Sequence, residues 1–462
     1  MISSFCDDII GKKDAVELAT LISKKEIKKE EVLEASIQRA EKVNPFLNAI
    51  ITKTYDLARR NSKIHSDGFF SGIPTFIKDN EDVMGVPTSH GSVAVQKNEA
   101  KNNSKLVQQI SALGFVSLGK SALCEFGLTA TTESLLNGST RNPWNTDHST
   151  GGSSGGAAAL VASGVVPIAH ANDGGGSIRI PAACCGLVGL KPSRDRLMRE
   201  DALGALPVNI VCQGIVSRTV RDTARFYFEA EKIYKNKKLP PIGLVEHPSQ
   251  KRLKIGFFKS IPFNKPIHPE VAATVDRTAK LCENLKHRVE EIPCPFGKQV
   301  GDDFFLYWGM LAFLLSHLGK YIVSHDFKNE NVEYWTKELG KNYSRHILKS
   351  PIMFHRLRHF FYEYEKLFQN FDVILCPTIA HSAPKIGYLS TTEVEFSLVY
   401  ERLKEFVPFT PIHNISGAPA ISLPLGMSKE GLPLGMQFFT SFGQDKTLIE
   451  LAFELEEAAN WV

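Results

Sequence analysis

Three observations predict an α/β fold. Short apolar runs bounded by turns alternate with stretches of helical periodicity along most of the chain. Residues 136–193 are crowded with Gly, Ser and Ala and hold few large side chains except near the edges of that segment. The 462 residues are 43% hydrophobic, enough to bury a large core, which excludes a disordered chain or a small stapled scaffold.

The first 45 residues read as helical. Apolar residues recur at helical spacing over Asp14–Ile22 and over Glu30–Val43, and Pro45 is predicted to stop the second helix. Between them, KKEIKKEE reads as a solvated charged surface. Residues 46–135, with SGIPTFIKDN and SALGFVSLGKSA, fit strands alternating with helices. The Pro- and Lys-rich stretch 234–252 reads as a linker or surface loop, after which LKIGFF (253–258) restarts as a strand. From about 300 to 410 the chain is rich in Phe, Tyr and Trp and its pattern is largely helical. VILCPTIA from Val373 and PAISLPLGM from Pro419 read as strands, and an amphipathic helix follows from Thr447 to about Ala459. No repeat or low-complexity segment intervenes. Residues 1–462 are therefore expected to form a single domain with the helical, aromatic-rich region at about 300–410 set into it.

Lys and Arg total 54 against 50 for Asp and Glu, a net charge of +4 that is too mild to imply nucleic acid. The eight cysteines form no CxxC and no Cys/His metal spacing, so no metal is expected. The adjacent pair Cys184–Cys185 is a poor disulfide and reads as buried packing. The opening MISSFCDDIIGKK lacks the basic start and apolar run of a signal peptide, and a reduced cytoplasmic protein is the expectation. Phe304–Ser316 (FFLYWGMLAFLLS) spans 13 residues, short of the ~20 that cross a bilayer. It reads as a buried helix rather than a stable membrane span, with an apolar lid or membrane-resting helix as the other reading.

Two Gly-Ser clusters carry the chemistry: GGSSGG (Gly151–Gly156) and DGGGSIR (Asp173–Arg179). Neither is followed by the Lys of a GxxxxGK[ST] loop, and neither fits GxGxxG, so phosphate cradling is not indicated. Tight turns explain glycines but not why both clusters present serine. An acyl-transfer site explains both, because several N–H groups must converge on a developing oxyanion beside a nucleophilic oxygen. GGSSG also satisfies GxSxG, the elbow of α/β-hydrolases, with Ser153 as nucleophile and Asp372 with His381 or His413 as partners. That esterase reading leaves DGGGSIR without a role.

At this point the sequence resembles the amidase signature family. The shared segments are GIPTFIKDN (Gly72–Asn80), TRNPWN, TGGSSGGAAA, DGGGSIRIPAACCGLVGLKPS, SRTVRD (Ser217–Asp222), VILCPT, NISGAPAISLP and GLPLGMQFF. They run in the family's order from about residue 14 to 461. The resemblance implies a mixed central β-sheet covered by helices on both faces, and an amidase that hydrolyses a carboxylic amide C–N bond without a cofactor. Carried over, Ser177 is the nucleophile, Ser153 is the bridging serine after a cis peptide at Gly152, and Lys78 is the base. The N–H groups of Gly174, Gly175, Gly176 and Ser177 would hold the oxyanion, supported by Ser154, Asp173 and Arg179. A lysine of ordinary pKa is a poor base near neutrality, and burial away from acids is what would lower it.

Within the family the fork is between free-standing amidases and the glutaminase subunit of the tRNA-dependent amidotransferase, which commonly resembles DTGGSIRQPA. Here Gly174 stands for that Thr and Ile180 for the polar residue before Pro181, while Pro408–Pro419 is more similar to free-standing amidases, including those acting on cyclic oligoamides of aminohexanoate. Ala171–Asn172 replaces a frequent Gly-Thr pair and is expected to touch no triad position. Phe304, Phe305, Tyr307, Trp308 and Phe313 are the candidates for the acyl pocket, with Tyr334, Trp335, Phe360 and Phe361 behind them. The expected partner is a small-molecule amide, and an exposed apolar patch would build a homodimer. A binding module that has lost the triad is the non-enzyme alternative, and Lys78, Ser153 and Ser177 are all present against it.

Overall fold

A computed structural model describes the chain except residues 202–205, 262–265, 392–393 and 462. The described strands are β1 (Ile50–Lys53), β2 (Pro74–Lys78), β3 (Val116–Ser121), β4 (Glu133–Ser134), β5 (Gly138–Ser139), β6 (Ile168–Asp173), β7 (Val188–Lys191), β8 (Cys212–Ser217), β9 (Lys254–Phe257), β10 (Arg288–Glu291), β11 (Val373–Pro377), β12 (Ala420–Met427) and β13 (Pro433–Phe439). Eight of them form a mixed sheet in the order β10-β9-β11-β13-β12-β7-β8-β6. Its β10, β9 and β11 are parallel and its other pairs antiparallel. The strands β1, β3 and β2 form a smaller sheet.

Several bonds join these sheets. Thr75 Oγ1 donates to the Ile168 carbonyl at 3.0 Å, and the Lys78 N–H donates to His170 Nδ1 at 3.1 Å. The strand β2 therefore lies against the N-terminal half of β6, with its last residue, Lys78, beside His170.

Successive strand residues face opposite sides of the sheet. Ile168 and Ile215 enter one apolar core, while Ala169, Ala171 and Val216 enter another. The first core is covered by the helices Val220–Ile233 and Asp445–Ala459, the second by Gly155–Ala162 and Arg179–Cys185. This is the α/β fold with helices on both faces of a mixed sheet that the sequence led us to expect. Every residue of Gly155–Ala162 is buried, which explains a small-residue run with no polar stripe. Cys184 and Cys185 are buried in the same core, and burial pushes both thiols up.

The aromatic-rich region contains the helices Lys298–Ile322, Tyr334–Ser344, Ser350–Glu365 and Phe396–Phe406. Phe304–Ser316 lies in the first. Among the described residues no helix is long and apolar enough to cross a membrane.

Pro45 does not stop its helix. Lys29–Leu47 runs two residues past it, to a left-handed Asn48 whose N–H reaches the Asn44 carbonyl. In the last turn a missing N–H costs a single bond, and Asn44 Oδ1 caps the helix end by accepting the N–H groups of Ala49 and Ile50 at 2.9 and 2.8 Å. The C-terminal helix begins at Asp445, two residues before the expected Thr447. Residues 234–252 contain no regular element, yet Leu239, Ile242 and Val245 are buried. The stretch is a packed surface loop rather than a free linker.

Candidate active site

Lys78 ends β2, Ser153 and Ser154 immediately precede the helix Gly155–Ala162, and Asp173 ends β6 with the glycine run and Ser177 after it. The junction of the two sheets thus brings the Lys78 amine to residues 75 to 94 positions further along the chain. Lys78 Nζ is hydrogen-bonded to Ser153 Oγ at 2.8 Å, Ser154 Oγ at 2.8 Å and Asn172 Oδ1 at 2.6 Å. The Gly152–Ser153 peptide bond is cis. A side chain at Gly152 would place its Cβ 2.0 Å from the Thr131 carbonyl oxygen, so this approach requires glycine.

Lys78 is fully buried, and burial lowers its pKa from 10.5 to about 7; Cys124, Asp173 and Glu81 oppose the drop without restoring it. Two other lysines are as deeply buried, and their surroundings differ. Lys120 pairs with Asp79 at 3.2 Å and bonds the Glu81 carbonyl and Thr88. Lys191 bonds the Pro192 carbonyl and Cys212. Of the three, Lys78 alone contacts serine hydroxyls.

Arg179 organises the glycine run. Its Nε and Nη2 hold both carboxylate oxygens of Asp173 at 2.9 Å, and the remaining N–H groups reach the Thr410 carbonyl, Gln437 and Asn414. Burial alone would raise the Asp173 carboxyl, but Arg179, Lys191 and Asn414 together hold it down to about 2. Asp173 is thus a fixed anion that belongs to Arg179.

The same carboxylate accepts the Gly176 N–H at 2.7 Å and the Ile178 N–H at 3.2 Å. This corrects the expectation that Gly176 offers a free donor to an oxyanion, because its N–H is already taken. The N–H groups of Gly174, Gly175 and Ser177 make no hydrogen bond among the described residues. Asn172 also departs from expectation. Ser154 Oγ bonds Lys78 and donates to the Asn172 carbonyl at 3.2 Å. Asn172, expected to touch no triad position, bonds Lys78 directly through its side chain. An amide side chain at the next-to-last position of a strand has no period or motif that announces such a contact.

Ser177 opens on a cleft lined also by Gly127, Thr129, Ala130, Gly175, Ile180, Phe304, Phe305, Trp308, Leu403, Val407 and Pro411. None of these side chains is charged. Phe304 and Trp308 stack with centroids 5.4 Å apart, and Trp308 Nε1 donates to the Leu128 carbonyl at 3.1 Å. Tyr307 and Phe313, expected in the pocket, are elsewhere: Tyr307 donates to the Val208 carbonyl at 2.6 Å, and Phe313 stacks on His317. Trp335 donates to the Leu128 carbonyl from behind the wall, while Tyr334 is exposed.

The hydrolase-elbow alternative finds no partners. Asp372 binds Lys251 and the Lys254 N–H, His381 bonds the Ser382 carbonyl, and His413 lies between Tyr364 and Gln437. None of the three bonds Ser153.

Comparisons with known proteins identify the family. Residues 31–449 match the family described as Amidase. The chain is 46% identical over 462 residues to the Mycobacterium leprae protein named "Putative amidase AmiC", covering 100% of this chain and 98% of that protein. It is 32% identical to a 6-aminohexanoate-cyclic-dimer hydrolase of Paenarthrobacter ureafaciens, over 97% of this chain and 95% of the relative. The solved structure of a 6-aminohexanoate cyclic dimer hydrolase complexed with substrate superposes with a TM-score of 0.87 at 30% identity, covering 97% of each chain. A bacterial aryl acylamidase of the amidase signature family superposes at 0.83 with 26% identity, over 97% of this chain and 96% of that one. With its fold, its motifs and its full-length relatives in agreement, the chain belongs to the amidase signature family, enzymes that hydrolyse carboxylic amides at the C–N bond.

Proposed function

We propose that this amidase works through an acyl-enzyme on Ser177, with Ser153 and Lys78 as its proton relay. The observation that carries the reading is a fully buried Lys78, with no carboxylate bonded to its amine among the described residues, 2.8 Å from Ser153 Oγ. A neutral amine takes the Ser153 proton while Ser153 takes that of Ser177, whose oxygen attacks the amide carbon. The carbonyl π electrons move to oxygen, where the unbonded N–H groups of Gly174, Gly175 and Ser177 receive the charge. Collapse breaks the C–N bond as the proton returns through Ser153 to the departing nitrogen. Water then attacks the ester, passes a proton along the same relay and releases the acid. No step calls on a metal or cofactor.

The uncharged cleft supports an apolar aryl, alkyl or cyclic amide as substrate, and the relatives' cyclic-dimer and aryl substrates fit that chemistry. It disfavours the glutaminase alternative, whose substrate brings a carboxylate and an ammonium into the pocket with no charged side chain to meet them. The free cysteines support a reducing, cytoplasmic location. Homodimerisation would draw on the exposed Leu318, Tyr321 and Ile322, and sedimentation measures it.

The test is labelling with a fluorophosphonate, followed by peptide mapping and a screen of amides. A single adduct on Ser177 that disappears in Lys78→Ala is expected, with aryl or cyclic amides turned over faster than glutamine. An adduct on Ser153 would overturn the nucleophile assignment. Faster turnover of small polar amides would overturn the apolar substrate class.

A further inference from the structure

The amine of Lys78 has three hydrogen-bonding neighbours, and a neutral amine has two N–H bonds and one lone pair. Which neighbour faces the lone pair decides whether Lys78 is aimed at its substrate proton. Asn172 Oδ1, at 2.6 Å, is a carbonyl oxygen and can only accept. Ser154 Oγ, at 2.8 Å, has its one hydrogen donated to the Asn172 carbonyl at 3.2 Å, so towards Lys78 it accepts as well. These two acceptors use both N–H bonds. The remaining contact, Ser153 Oγ at 2.8 Å, has no other hydrogen-bond partner among the described residues, and its O–H is left facing the lone pair.

We propose that Asn172 is a positioning residue for the general base: its side-chain oxygen and the Ser154 hydroxyl each hold one N–H of Lys78, which turns the amine lone pair onto Ser153. Asn172 has two handles on this geometry, since its backbone carbonyl also fixes the Ser154 hydroxyl. A hydroxyl at position 172 would rotate and could offer its own hydrogen to the lone pair in competition with Ser153; a carbonyl oxygen has no hydrogen to offer. The inference rests on Lys78 being the base.

The ionisable groups around the amine leave this arrangement intact. From β6, Asp173 is committed to Arg179, and His170 is neutral, its Nδ1 accepting the Lys78 N–H and burial pushing its pKa down to about 3. Glu81, on the turn after β2, is held up by burial and is bonded by Gln213 and Ser104. Lys120 on β3 pairs with Asp79. Cys124, beyond β3, is a thiol that burial pushes up to about 12.

The experiment measures the fluorophosphonate labelling rate of the full chain from mildly acidic to alkaline pH, for the parent, Lys78→Ala, Asn172→Asp and Asn172→Leu. Labelling forms the Ser177 Oγ–P bond, breaks P–F, and sends the serine proton down the relay. Asn172→Asp keeps the acceptor but adds a charge that favours the ammonium, so the acidic limb moves up by about one pH unit or more, with the rate recovering at high pH. Asn172→Leu removes an acceptor that the ammonium uses best, so its limb moves down while its plateau falls about tenfold. A purely structural role lowers plateaus without moving the two limbs in opposite senses. Unmoved limbs with the label lost in Lys78→Ala overturn the role of Asn172 alone. Labelling that survives in Lys78→Ala overturns the base assignment, and this role with it. Should Asn172→Leu fail to fold by circular dichroism, the near-isosteric Asn172→Asp decides: an upward limb supports the role and an unmoved one overturns it.

Discussion

At Lys78 the requirements of folding and of chemistry oppose each other. Burial that lowers its pKa from 10.5 to about 7 withholds stability on the order of 5 kcal/mol whenever the amine is charged. The sign follows from proton linkage. Between about pH 7 and 10.5 the unfolded chain carries a proton here that the folded chain has released, so stability rises with pH across that window. Below about pH 7 both states are protonated and the full penalty applies. Lys78→Met removes the titrating group, while its unpaired neighbours add a cost that does not depend on pH. The variant's stability relative to the parent is therefore expected to be greatest below about pH 7 and to decline as pH rises towards 10.5. Urea unfolding on both sides of neutrality checks this, and a gap that stays constant would mean that the folded enzyme keeps Lys78 charged. The residue was not legible from the chain alone: on periodicity it is a strand-end lysine, and only the family motif IKDN selects it. What distinguishes it physically from Lys120 and Lys191 is the set of atoms around its amine, which is a property of the fold.

At the scale of elements, the helix Lys298–Ile322 is set over the glycine run. Phe304 and Trp308 are four residues apart and share one helical face. A Cβ on Gly175 would lie 2.8 Å from Phe304, and one on Gly174 would lie 3.4 Å from Trp308. The bare backbone at 174 is thus matched to the indole above it, and a larger side chain there needs the indole removed. Gly174→Thr is expected to slow acylation of Ser177 by about tenfold or more, and Trp308→Ala in the same chain to restore part of that loss. The coupling would be on the order of 1 kcal/mol or more, as for residues in contact. A double-mutant cycle on labelling rates measures it, and a double variant no faster than Gly174→Thr would show the two positions to be independent. The glycine run was legible because its pattern is local. The aromatic wall was legible only as a region, since which ring faces Ser177 depends on how the helix is rotated against the sheet. Phe304 and Trp308 take the face above the cleft, and Tyr307 and Phe313 pack away from it. Pro45 was misjudged because a proline in a last turn forfeits only one backbone bond, and Asn44 caps the helix end just beyond it.

Across the whole molecule, the site is assembled from parts that are remote in sequence. Lys78 belongs to the three-stranded sheet, while Ser177 follows a strand of the eight-stranded one. The loop that carries Ser177 is held by Arg179, whose partners Thr410, Asn414 and Gln437 lie more than 230 residues further on. The alternation of strands and helices was readable from residue patterning, and so was the α/β class. The strand order was not, because long-range pairs such as β12 with β7 leave no local trace. Contacts of this reach predict that the chain unfolds as one unit, with the aromatic-rich region included. Trp308 and Trp335 stand in that region and report it by fluorescence once Trp144 and Trp461 are replaced by Phe, far-ultraviolet circular dichroism reports the sheets and helices, and labelling of Ser177 reports the site. In a denaturant titration the three midpoints are expected to coincide, as they do when no intermediate is populated. A tryptophan transition well below the other two would make the 300–410 region a separately folding lid, and the cleft would then be lost before the sheets that position its serines.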